Sequence, residues 1–156
     1  MRGGRRLRDV EVDVTATTCV SEDAEKAFRS SKRQSVIGIL WTAGVDKYAK
    51  RNYQSWSVPK RFSVPEDVVE ELSRWDWWTG DPLPDRLARL LTKEIVEQFV
   101  IFGTPKQVAE RYRELMDYPD VGCIRIPLLP VEGKSAFEGF EETINGIGKA
   151  MRILKA

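Results

Sequence analysis

The sequence predicts an α/β fold built on parallel strands, and three observations carry that prediction. Residues 9–19, DVEVDVTATTC, alternate between valine and acid. Residues 121–130, VGCIRIPLLP, form an apolar run with a single charge. Helical patterns lie between these two stretches and close the chain. Strands separated by helices pair in parallel through right-handed crossovers.

The first strand sets Val10, Val12 and Val14 on one face and Glu11 and Asp13 on the other, followed by β-branched Thr15, Thr17 and Thr18. Ser21 then has the position of an N-cap, with Glu22 and Asp23 where the helix dipole favours acid. Ala24, Ala27, Phe28 and Ser31 give the next helix a small-residue face. Residues 36–41, VIGILW, suit either helix or strand, and 48–56, YAKRNYQSW, suit loop or short helix. Pro65, Glu66 and Asp67 start a short helix ending near Ser73. Residues 74–85, RWDWWTGDPLPD, read as a loop. A further helix starts near Pro84 and takes in Leu87, Leu90 and Leu91, and Thr92 caps another through Ile95, Val96 and Phe99.

FGTPKQ, residues 102–107, is helix punctuation. Thr104 is an N-cap, Pro105 takes the first helical position and Gln107 completes a capping box. Gly103 lets the backbone turn beneath it. Val108, Tyr112, Leu115 and Met116 form the face to be buried, and the helix stops before Pro119. The run 121–130 suits a strand covered on both faces, with Pro127 at its end or at a bulge. Ser135 and Glu138 propose a second capping box. Phe137, Phe140, Ile144, Ile147, Met151 and Leu154 then mark one helical face. Gly139, Gly146 and Gly148 point to close packing against a neighbour. The expected organisation is a basic tail over 1–8 and one α/β domain over 9–156, with an irregular helical insertion at about 42–91.

Composition narrows the chemistry. The chain has 25 basic and 24 acidic residues and no histidine. The balance gives no overall pull toward nucleic acid or membrane. The missing histidine removes serine–histidine–aspartate and cysteine–histidine catalysis and histidine-ligated metals. MRGGRRLRD lacks the apolar stretch of a secretory signal, and no run reaches the roughly 18 apolar residues of a membrane span. Cys19 and Cys123 fall about 20 Å apart on adjacent parallel strands, so two thiols in a reducing, cytoplasmic compartment are expected, with a packing role.

EIVEQFVIFGTPKQVAERYRELMDYPDVGCIRIPLLP, residues 94–130, together with DVTATTCVSEDAEKAF, residues 13–28, resembles the C-terminal part of luciferase-like monooxygenases. The likeness is greatest to the F420-dependent branch that includes methylenetetrahydromethanopterin reductase-like proteins. It spans about residues 9–30 and 92–156. The resemblance implies a (β/α)₈ barrel, which typically takes about 250 residues. This chain would then hold the last quarter to third of one, with strands seven and eight. It also implies an oxidoreductase using F420 or FMN on a small-molecule substrate. A second reading is an interaction piece of a split or truncated barrel, associating with itself or with a complementing chain.

Three residues stand out as candidates for binding cofactor or substrate. Arg125, inside an apolar strand, either meets an anion within the barrel or pairs with Glu11 or Asp13 on the adjacent strand. Lys134 and Ser135 either hold an anion at a helix start or serve as solvated charge and cap. VEGKSAF, residues 131–137, is not a nucleotide-binding P-loop, because position 128 is Leu where that loop needs Gly. Trp56, Trp75, Trp77 and Trp78 either line an apolar mouth or cover a core or interface. With Lys50, Arg51, Lys60 and Arg61 they form a third possibility, a single-strand nucleic-acid platform, which the charge balance disfavours. No residue pattern identifies a catalytic acid, a base or a metal site.

Overall fold

The computed structural model describes residues 12–43, 62–76, 81–119, 121–133 and 135–156. The N-terminal tail, Glu11, Lys134, Trp56, Trp77, Trp78 and the basic residues at 50–61 therefore lie outside the described residues. The chain falls into two compact units, Met1–Ala27 with Ile101–Ala156, and Phe28–Val100.

The first unit holds all the described strands. These are β1 (Val12–Thr15), β2 (Thr18–Val20), β3 (Ile101–Gly103) and β4 (Val121–Arg125). β1 pairs with β4 in parallel, Thr15 opposite Arg125, and β2 pairs with β3 in parallel, Cys19 opposite Phe102. The gap between β1 and β2 does not interrupt the ladder. Ala16 N–H donates to Arg125 O at 2.8 Å, Thr18 N–H to Pro127 O at 2.8 Å, and Leu129 N–H to Thr18 O at 2.9 Å. On the opposite edge Ile101 N–H donates to Thr17 O at 2.9 Å. Residues 12–20 thus run between 101–103 and 121–129, all three pointing the same way. The predicted parallel pairing is present.

β3 differs from expectation. The helix expected after Thr92 lasts one turn, Lys93–Val96, with Thr92 at the N-cap position but its side chain capping no backbone N–H, and the chain then opens into a strand. Ile101 and Phe102 gain the free edge of residues 17–20, which outweighs continuing a short helix. Gly103 ends β3 at φ 140°, a conformation that L side chains rarely adopt. A Cβ there would lie 2.7 Å from Gln107 Oε1, an atom of the capping box itself. Thr104 Oγ1 accepts from Gln107 N–H, and Gln107 Oε1 accepts from Thr104 N–H at 2.9 Å. The glycine, the threonine and the proline thus turn a strand directly into a helix.

Helices α5 (Pro105–Met116) and α6 (Ala136–Lys155) belong to the same unit. Ala16, Val20, Val108, Ala109, Tyr112 and Ala150 form its buried core, flanked by Ile101, Leu115, Ile124, Ile126, Ile147, Met151 and Leu154. Met116, expected inside, is exposed. The predicted face of α6 is corrected in part. Its fully buried stripe is Gly139, Thr143, Gly146 and Ala150, while Phe137, Phe140 and Ile144 are exposed. Small residues win because the backbone of α6 comes very close to its neighbours. A Cβ on Gly139 would meet Val131 O at 2.1 Å, and one on Gly146 would meet Val20 Cγ1 at 2.6 Å. Gly148 has open space, so close packing does not explain it.

The expectation that β4 is covered on both faces is also corrected. Gly122, Cys123 and Arg125 are exposed, because the described helices of this unit cover only the face carrying Ile124 and Ile126. Cys123 therefore has no core role. Cys19 is buried, and neither cysteine forms a disulfide.

In the second unit VIGILW is helical, the continuation of α1 (Ala24–Thr42). Its Val36, Ile39 and Leu40 are fully buried. α2 (Glu66–Ser73), α3 (Asp85–Ala88) and α4 (Lys93–Val96) follow, with Val68, Val69, Leu72, Leu87, Ile95 and Val96 buried. Trp75 meets a cation, its ring 6.0 Å from the Arg33 guanidinium carbon. No helix among the described residues is long and apolar enough to cross a membrane.

Candidate functional site

Parallel strands that each run into a helix deliver their loops to one edge of the sheet. β2 leads into α1, β3 into α5 and β4 into α6. The loops after the strands therefore gather at the carboxyl ends, where α/β folds place their ligands.

At α1 the cap is Asp23, not Ser21. Asp23 Oδ1 accepts from Glu25 N–H at 2.9 Å and from Lys26 N–H at 3.1 Å. Ser21 Oγ accepts from Asp23 N–H at 3.1 Å and donates to Glu142 Oε1 on α6. Lys26 Nζ donates to Glu142 Oε2 at 2.7 Å, and Lys149 pairs with Glu22. Burial raises the Glu142 pKa, but the hydrogen bonds from Lys26 and Ser21 outweigh it and hold the carboxyl below its ordinary range. This cluster fastens the start of α1 to α6. Sequence reasoning misses it because Glu142 is 121 residues from Ser21 and no local pattern joins the two.

At α6, Ser135 Oγ accepts from Glu138 N–H at 3.2 Å, the serine half of the expected box. Two further bonds fix the approach to this helix. Val131 N–H donates to Gly139 O at 3.1 Å, and Thr143 Oγ1 donates to Leu129 O at 2.7 Å. Ser135 itself is exposed at the helix start.

Arg125 lies at the end of β4 on the uncovered face, with Cys123, Thr15 and Asp13. Its Nη2 and Nε donate to Asp13 Oδ2 at 2.7 and 3.1 Å. The pairing alternative weighed for Arg125 is therefore present, with Asp13 as the carboxylate. Nη1 has no partner among the described residues. Arg125 stands opposite Thr15, part-way along the ladder, whereas Ser135 follows the strand at the start of α6, and no contact joins the two.

Beneath the sheet, Tyr112 and Thr18 form the buried polar link. The two hydroxyls stand 2.7 Å apart, and Thr18 Oγ1 lies 2.9 Å from Ala16 O, to which it donates. Thr18 has one proton, so Tyr112 is the donor to Thr18. Burial pushes the Tyr112 phenol up to about 12, against the opposing effect of the Thr18 hydrogen bond. The link ties α5 to residues 16–18 of the sheet. Tyr112, Met116, Val121, Ile124, Met151 and Leu154 line an apolar cleft of about 250 Å³.

No group of three or more acidic, cysteine or histidine side chains suited to a metal occurs among the described residues. No catalytic acid–base pair is assembled among them either.

No protein-family model matches the chain, and no curated protein sequence matches it. Its fold is similar to that of a coenzyme F420-dependent tetrahydromethanopterin reductase from Methanopyrus kandleri, with a TM-score of 0.50 and 20% identity. The match covers 91% of this chain and 37% of that one. The chain thus spans little more than a third of the enzyme it resembles.

Proposed function

We propose that this chain is a segment of a luciferase-like oxidoreductase that acts with F420 or FMN on a small-molecule substrate. In this reading residues 12–20 and 121–129 are the last two strands of a (β/α)₈ barrel. The observation that carries the reading is the continuous parallel ladder of these strands, each running into a helix. The fold likeness to an F420-dependent reductase supports it.

The residues present fit one part of such a cofactor. FMN and F420 each carry a phosphate. Arg125 offers Nη1 on the uncovered face while Asp13 holds the rest of its guanidinium. Ser135 stands at the start of α6, where the helix dipole favours an anion, and Lys134 precedes it in the sequence. When bound, the cofactor supplies the redox chemistry. The chain's part is to hold the phosphate and to orient what is attached to it. The isolated chain is expected to show no turnover.

The test is a fluorescence titration of the purified chain with F420 and with FMN. The reading expects saturable binding, weakened by about tenfold in Arg125→Met through loss of one charge-assisted contact. Unchanged affinity in Arg125→Met removes Arg125 from the site.

A second reading is favoured by the exposure of Phe137, Phe140 and Ile144 on α6. There the chain is an interaction piece, and cofactor binds only after a complementing chain is added. Binding by the chain alone supports the first reading, and binding that requires a partner supports the second. Absence of binding in both cases sinks the cofactor assignment.

A further inference from the structure

α6 carries an apolar ridge that the described residues leave exposed. Phe137 is 78% exposed, Ile144 54% and Phe140 39%. At 3.6 residues per turn these three fall on one side, in line with Gly148 and Met151. The side chain of Met151, with Leu154, also lines the apolar cleft beside Met116. Ridge and cleft therefore form one surface, with protruding aromatics at its start and a hollow at its end.

The charges beside the ridge are ordered. Glu138 and Glu141 flank its first half, and Arg152 and Lys155 its second, all exposed. None of the four makes an ion pair within the described residues. We infer that this surface is a self-association interface, in which α6 packs antiparallel against α6 of a second copy. A two-fold axis between Gly146 and Ile147 brings Glu141 opposite the partner's Arg152, and Glu138 opposite the partner's Lys155. The same axis carries the partner's Phe137 to the last turn of α6, at the mouth of the cleft. An interface of this kind is isologous, so each complementary pair occurs twice. Gly148 gains a reason that packing within the chain does not give: with no Cβ, it lets the partner's Ile144 approach. One helix pair with two aromatic anchors belongs to the small, weak class of interfaces, with a dissociation constant in the micromolar range.

The inference does not rest on the oxidoreductase reading, because association is measured without cofactor. Sedimentation velocity on the full chain up to about 100 µM, well above the micromolar range expected of a weak interface, is the experiment. The wild type is expected to dimerise. Glu141→Arg and Arg152→Glu are each expected to weaken the dimer by about tenfold, and the double variant to recover most of that loss. Phe137→Ala, at a largely exposed position, is expected to weaken it by about tenfold or more. Far-UV circular dichroism checks that each variant keeps its helices. A monomeric wild type, a folded Phe137→Ala variant that associates as well as wild type, or a folded double variant no tighter than the single ones overturns the interface.

Discussion

Three glycines in one helix should respond to alanine in three different ways. A glycine inside a helix costs about 0.5–1 kcal/mol relative to alanine, so each substitution begins with that gain. At Gly148 nothing lies closer to the new Cβ than Arg152 Nη1 at 3.9 Å, the end of a flexible side chain. Gly148→Ala should therefore stabilise by about 0.5–1 kcal/mol. At Gly146 the Cβ meets Val20 Cγ1 at 2.6 Å and Val20 Cβ at 2.8 Å. Val20 is fully buried and β-branched, so it yields only by moving backbone. Overpacking of about 1–3 kcal/mol offsets the propensity gain, leaving a net loss of about 1–2 kcal/mol. At Gly139 the obstacle is backbone, with Val131 O at 2.1 Å and Val131 N at 3.1 Å. Relief requires the helix to withdraw by about 1 Å, which strains the Val131–Gly139 and Thr143–Leu129 bonds, each worth about 1 kcal/mol. The net loss should be about 2–4 kcal/mol. Urea unfolding measures all three as shifts in midpoint at constant m. The series should be run at a chain concentration below any self-association. A Gly139→Ala variant as stable as wild type would refute the close approach of α6 to residues 130–131.

Other outcomes follow from the buried and charged groups. Tyr112→Phe leaves Thr18 without its donor in the core and should cost about 1–3 kcal/mol in the same unfolding assay. The folded phenol is raised above its unfolded value, so its stability contribution is full below about pH 10 and is lost as pH rises toward about 12. A spectrophotometric titration should show one of the four tyrosines ionising late, and Tyr112→Phe should remove that step. Glu142 is shifted the other way, so its contribution is present above the ordinary carboxylate pKa and fades as pH falls through its depressed folded value. Glu142→Gln should accordingly be less stable than wild type at neutral pH and converge with it in acid, as read by unfolding midpoints across pH. Thr104→Ala removes the side-chain half of a capping box and should cost about 1 kcal/mol in thermal or urea unfolding.

What the sequence disclosed depended on whether the signal was local. Thr104, Pro105 and Gln107 act within one helical turn, and they were read correctly in full. The valine alternation at 10–14 and the apolar run at 121–130 each mark a strand by their own residues, and parallel pairing follows from the helices between them. β3 escaped because three residues carry no periodicity of their own; Ile101 and Phe102 become a strand only through the edge offered by residues 17–20. Ser21 and Asp23 both have capping chemistry, and the choice between them is made by Glu142, 121 residues from Ser21, which takes the serine. On α6 the apolar stripe suggested the buried face, but helix approach is limited by backbone distance. Gly139, Gly146 and Ala150 permit that approach, and Phe137 and Ile144 do not. At the candidate site, the Arg125–Asp13 pair was legible because adjacent parallel strands bring such residues together, whereas nothing local could show which face of β4 is left open.

The central claim is that residues 12–20 lie between 101–103 and 121–129, all running in one direction. Cross-strand nuclear Overhauser effects in the labelled chain measure it directly. The account predicts contacts from Asp13 to Cys123, from Thr15 to Arg125 and from Cys19 to Phe102, advancing together along each pair. Contacts that advance along one strand while receding along the other, with Val12 beside Arg125, would contradict it.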